Sequence, residues 1–137
     1  MRGGWAVDVD ELYGMAQAAP TDVDLVQTYD DYPVITMMQI EDLGFCEKGE
    51  APAFVRQRDL TIDGDFPHNT SGGQLSAGQA GAAGGYLGLV EAIRQVTGMA
   101  GPTQVADAKL ALVSGFGMIN YDRGVCSGAV MISGGSS

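Results

Sequence analysis

The sequence has few of the residues that most often carry metal and nucleophile chemistry. It holds one histidine, His68, and two cysteines, Cys46 and Cys126, in 137 residues. The cysteines stand 80 positions apart without a CxxC pair and no second histidine accompanies His68, so no ligand cluster can be read and no metal is expected. The two cysteines read as reduced thiols of a cytoplasmic protein, with a disulfide as the alternative. Basic residues are also scarce, 7 against 17 acidic ones, for a net charge of -10. Phosphate backbones are held by clustered Lys and Arg, so nucleic acid is not an expected partner. No run of about 18 apolar residues occurs, and no membrane span is expected. The opening MRGGWAVDVDELYG lacks the basic-then-apolar order of a secretory signal.

What is present suits a packed core. Hydrophobic residues make up 45% and charged residues 18%, and the length fits one compact domain. The 21 glycines gather in residues 72–88, 98–101 and 115–128. There they alternate with Leu, Val, Ile and aromatic residues, which predicts tight turns and close backbone approach within a fold.

Patterning gives a coarse order of elements. Asp10 is a candidate cap for a helix ending near residue 18, before Pro20. Residues 23–28 alternate as a strand. Pro33 suits the first turn of a helix with Val34, Ile35, Met37, Met38 and Ile40 as its buried stripe, closed by Gly44. Residues 45–66 read as a loop with one extended piece at 53–55. After the turn NTSGG (69–73), a helix over 83–97 carries Tyr86, Leu89, Val90, Ile93 and Val96 at helical spacing, and Gly98 stops it. Residues 109–114 and 125–133 read as two strands of a hairpin. The order implies an α/β layered architecture, and so few strands leave one face needing cover.

GFCEKGE, NTSGGQLSAGQAGAAGG, GLVEAIRQVTG and QVADAKLALVSGFG stand in the order and spacing of thiolases. The chain resembles the C-terminal half of a thiolase-fold protein of the sterol-carrier-protein-type, lipid-transfer-like branch, related to acetyl-CoA acetyltransferases. The resemblance implies a mixed five-stranded sheet covered by helices. It divides the chain into a poorly matched start, 1–11, and a thiolase C-terminal-like domain, 12–137, a start that fits a position inside a longer frame. It also implies that the nucleophilic cysteine belongs to an N-terminal half, which neither Cys46 nor Cys126 matches.

The family's C-terminal half arranges an oxyanion hole and proton shuttles for Claisen chemistry. Here its motifs are altered. The first reads Tyr29, Asp30, Asp31, Tyr32, so Tyr29 stands where Asn or His is usual and Asp31 where Ala or Cys is usual. The Gly-His-Pro motif reads Gly78, Gln79, Ala80, and glutamine can donate to an oxyanion but cannot take a proton near neutral pH. The third segment, Ser114, Gly115, Phe116, Gly117, is lengthened through Tyr121, Asp122 and Arg123 before Cys126. Tyr29, Asp31, Gln79 and Cys126 are therefore the candidate catalytic residues. Asn69, Ser71, Gly72, Gly73, Ser114 and Tyr121 are candidates for substrate binding.

Several of these residues have plainer readings. YDDY is also an ordinary solvated turn, and the glycines of NTSGG are also demanded by turn geometry. Cys126 reads most simply as a small buried strand residue, His68 as a surface residue, and residues 121–123 as a surface turn. The functional expectation is an acyl-CoA-processing enzyme with altered carbon–carbon chemistry, such as retro-aldol cleavage of a β-hydroxyacyl-CoA. The alternative is a catalytically degenerate acyl-CoA- or lipid-binding or scaffolding subunit. A coenzyme A thioester is then the substrate and no cofactor is expected. The expected partners are an N-terminal thiolase half or a second copy of the chain, together with a small OB-fold protein, as in the thiolase-like aldolases of this branch.

Overall fold

The computed structural model describes residues 3–79, 81–120 and 123–135. Five helices, α1 (Trp5–Ala16), α2 (Pro33–Asp42), α3 (Ala51–Gln57), α4 (Gly73–Ala77) and α5 (Leu87–Val96), combine with three strands, β1 (Leu25–Gln27), β2 (Leu110–Asn120) and β3 (Arg123–Ser133). The sheet order is β1-β2-β3, with β1 parallel to β2 and β2 antiparallel to β3.

The sheet is covered on both faces, as period-2 alternation requires. Val26 and Leu112 point into one core with Trp5, Tyr13, Ile40, Leu43 and Phe66 from the α1–α2 side. Leu25, Ala111 and Val113 point into the other with Ala92 of α5. Pro33 starts α2 as expected, because its missing N–H falls where no helical partner exists. The hairpin of residues 109–114 and 125–133 also forms, as β2 and β3.

The sheet has three strands among the described residues, where five were expected. Beyond β1 the next position holds only a one-residue bridge, Val26 to His68. Val26 N–H donates to Pro67 O at 2.9 Å, and Asn69 N–H donates to Val26 O at 3.0 Å. Pro67 has no N–H to donate, and Asn69 turns left-handed at φ 46°, so neither side of His68 can extend the ladder.

Three local expectations are corrected. Helix α1 begins at Trp5 and holds Asp10 inside it, because buried Trp5 anchors the first turn, its ring tilted against Phe116 at 5.5 Å and its indole N–H donating to Gly115 O and Gly128 O. Residues 53–55 are helical: Pro52 opens α3, and Phe54 packs edge-on to Phe66 at 4.9 Å. The helix expected from residue 83 begins at Leu87, after a 3-10 turn at Gly81–Tyr86. Its apolar residues also divide between two faces. Leu89 and Val96 pack on the sheet side, whereas Tyr86, Val90 and Ile93 are exposed.

Candidate active site

The site starts where β1 ends. Thr28 N–H donates to Asn69 Oδ1 at 2.8 Å, tying the strand end to the NTSGG turn. The next peptide is held by Gln39 of α2, which is fully buried. Its Oε1 accepts from Tyr29 N–H at 3.1 Å and from Ser114 Oγ at 2.7 Å, and its Nε2 donates to Tyr29 O at 2.7 Å and to Ile35 O at 3.1 Å. With its backbone fixed at both ends, the Tyr29 ring lies against Phe116, centroids 6.2 Å apart. Sequence reasoning missed Gln39. The signal was a polar residue at core spacing between Ile35 and Leu43.

The NTSGG turn is shaped by a second buried contact. Asp30 Oδ1 accepts from Gln74 N–H at 2.9 Å, and a Cβ on Gly73 would stand 1.9 Å from Asp30 Oδ2. Gly72 and Gly73 have φ of 93° and 66°, so the turn needs its glycines for geometry whatever else it does. Asp30, not Asp31, is thus the carboxylate built into the fold.

Between β1, β2, the turn and α5 lies a cavity of about 460 Å³. Of the candidate residues it brings together Tyr29, Asn69, Ser71, Gly73, Gln79 and Ser114. Gly72 and Asp31 do not line it. Tyr121 lies outside the described residues. Cys126 is exposed on β3 opposite Gly117, not buried as its strand position suggested, because its side chain faces a shallow neighbouring depression beside Phe116. His68 is half-buried and not a surface residue: the Val26 bridge draws it inward, 2.8 Å from Thr28 Oγ1. Burial pulls its imidazole down to about 4, against the opposing charge of Asp30.

At the exposed rim, Gln79 Nε2 donates to the Tyr29 hydroxyl at 3.1 Å. Burial pushes the phenol above its ordinary value; the Gln79 hydrogen bond opposes that rise, and the Asp31 carboxylate adds to it. Tyr29 is therefore a neutral hydroxyl at neutral pH, able to donate toward a developing oxyanion, and Gln79 contributes a second donor type. No Lys or Arg lines the cavity among the described residues. Among the described residues no group of three or more His, Cys, Asp or Glu is placed to hold a metal ion. Nor is any described helix long and apolar enough to cross a membrane.

The thiolase C-terminal domain-like family profile matches residues 4–126. The chain is 36% identical over 105 residues to an acetyl-CoA acetyltransferase of Methanothermobacter thermautotrophicus, covering 77% of this chain and 27% of that protein. It is 40% identical over 88 residues to a steroid side-chain-cleaving aldolase of Thermomonospora curvata, covering 64% of this chain and 22% of that one. A solved Ltp2-ChsH2(DUF35) aldolase superposes with a TM-score of 0.71 at 35% identity, over 80% of this chain and 28% of that chain. The chain thus spans about a quarter of the length of these relatives. With the altered motifs set around one cavity and the profile matched along nearly its whole length, the chain belongs to the thiolase C-terminal domain-like family.

Proposed function

We propose that this chain forms the C-terminal part of an acyl-CoA-processing enzyme that cleaves a β-hydroxyacyl thioester by a retro-aldol route. The observation that carries this reading is the Tyr29 hydroxyl held by Gln79 at the cavity rim, where the family's histidine would otherwise take a proton. In the reaction, the β-hydroxyl gives up its proton and becomes a carbonyl as the bond between the α and β carbons breaks. The electron pair passes to the thioester enolate, which is then protonated at the α carbon. One proton thus moves from oxygen to carbon, and Tyr29 and Asp31 are the groups assigned to relay it. Gln79 donates its second N–H toward the enolate oxygen, the single Tyr29 proton being taken up in the relay. No covalent acyl-enzyme is needed, and Cys126, in the adjoining depression, is assigned no step. The relatives named for aldolase activity support the reading.

The active form includes more than this chain. The exposed apolar face of α5 (Val90, Ile93), with Tyr86 just before it, fits a thiolase N-terminal half or a second copy, and a small OB-fold protein is a further partner. A described lining without Lys or Arg leaves the phosphates of coenzyme A to basic residues elsewhere in that assembly. Two free thiols fit a reducing compartment, and we place the protein in the cytoplasm.

The test is retro-aldol turnover of a 3-hydroxyacyl-CoA by the full assembly carrying Tyr29→Phe. Activity should fall by about 100-fold or more. Turnover that survives the substitution defeats the aldolase reading, and an assembly that binds acyl-CoA but never turns it over establishes the binding-subunit alternative.

A further inference from the structure

The buried wall of the cavity carries a polarity that the rim chemistry does not use. The backbone fixes it. Val105 N–H donates to Gln95 Oε1 at 2.8 Å, which turns Gln95 Nε2 toward Thr103 O (2.7 Å), Glu91 Oε1 (2.9 Å) and Thr70 Oγ1 (3.1 Å). Thr70 must accept from Gln95, and its own proton goes to Glu91 Oε1 at 2.7 Å. The group 3.0 Å away on Gln27 is then a donor, Nε2. Because Gln27 lines the cavity, its carbonyl oxygen is the end left for a ligand.

A second acceptor stands on the same lining. Gln74 is 8% exposed, and its Oε1 is buried without a hydrogen-bond partner among the described residues. A buried orphan acceptor is unfavourable until a donor reaches it. We propose that Gln27 and Gln74 form an acceptor subsite that selects a hydroxyl-bearing acyl chain, the substrate's single hydroxyl proton being shared between their carbonyl oxygens in the bound ground state and passed to the Tyr29 relay only in reaction. This rests on the β-hydroxyacyl reading above and names the residues that separate such a substrate from its keto or deoxy analogue. A site built to bind a hydroxyl rejects the analogue lacking it, because its polar atoms are then left unpaired.

The test uses this chain with the 3-hydroxybutanoyl, 3-oxobutanoyl and butanoyl thioesters of pantetheine. Binding is measured by calorimetry, and the glutamine side-chain carbonyls are followed by carbon-13 NMR. The hydroxy thioester should bind roughly tenfold tighter than the other two. Gln74→Met should abolish that preference while butanoyl binding persists. Equal binding of all three thioesters, or a preference that survives Gln74→Met, overturns the proposal. Gln27→Met also disturbs the Thr70 network, so Gln27 is judged in the unmodified chain, where its carbonyl resonance should shift with the hydroxy ligand alone. If no thioester binds, ethyl 3-hydroxybutanoate and ethyl 3-oxobutanoate decide. Shifts of both carbonyls with the hydroxy ester alone keep the subsite and reject the thioester reading; no shift with either ester rejects the subsite.

Discussion

The Gln79 carboxamide donates to the Tyr29 hydroxyl at 3.1 Å across 50 residues of chain. A donor to that oxygen favours the phenolate, so its removal should raise the phenol's pKa. In Gln79→Leu, the Tyr29 Cζ resonance should titrate at higher pH than in the unmodified chain. A titration that stays in place or moves down refutes the contact.

Gln39→Leu should destabilise the chain by about 3 kcal/mol, because it leaves buried polar groups of Tyr29 and Ser114 without partners. Urea unfolding measures the loss. A change below about 0.5 kcal/mol, the scale of an ordinary surface substitution, is incompatible with the buried clamp.

Two glycines with similar backbone angles separate strain from collision. Gly98 (φ 70°) has open space around a notional Cβ, whereas at Gly73 (φ 66°) that atom meets Asp30. Gly98→Ala should cost about 1 kcal/mol and Gly73→Ala about 3 kcal/mol. Equal midpoints in thermal melts of the two variants would count against the Asp30 contact.

His68 has its folded pKa depressed from 6.5 to about 4, so the unfolded chain binds more protons between those values. Stability from this group is fully present above pH 6.5 and is lost as pH falls toward 4, by up to about 3 kcal/mol. His68→Gln should flatten this slope in unfolding measurements across that window. A slope unchanged by the substitution assigns the acid sensitivity to other groups.

The exposed face of α5 should drive association. Sizing at modest salt should show oligomers for the unmodified chain and a shift toward monomer in Val90→Lys/Ile93→Lys. A monodisperse monomer before any substitution contradicts an unpartnered interface.

Much of the rim was legible because its residues sit in motifs: Tyr29, Gln79 and the NTSGG turn are recognisable in one dimension, and the cavity gathers most of them. The supporting polar groups were not. Gln39, Gln27 and Gln95 occupy positions that helical or strand periodicity assigns to apolar residues. Only the fold reveals that the backbone of Tyr29 and Val105 and the hydroxyl of Thr70, all distant in sequence, satisfy them. The α2 stripe was read as one buried face, yet its Val34 is exposed, since periodicity registers apolar residues without saying which element covers them. Beside β1 the ladder stops for a local reason, the Pro67–Asn69 interruption, whose left-handed residue no alternation pattern encodes.

Gln79 is exposed, follows a glycine at φ 105°, and makes its hydrogen bond at the surface. Replacing it disturbs no packed atom, whereas Asp30, Gly73 and Gln39 are locked into the body of the domain. This rim position is thus one of the least constrained by folding. Side chains can be exchanged there while the Asp30, Gly73 and Gln39 contacts beneath stay fixed.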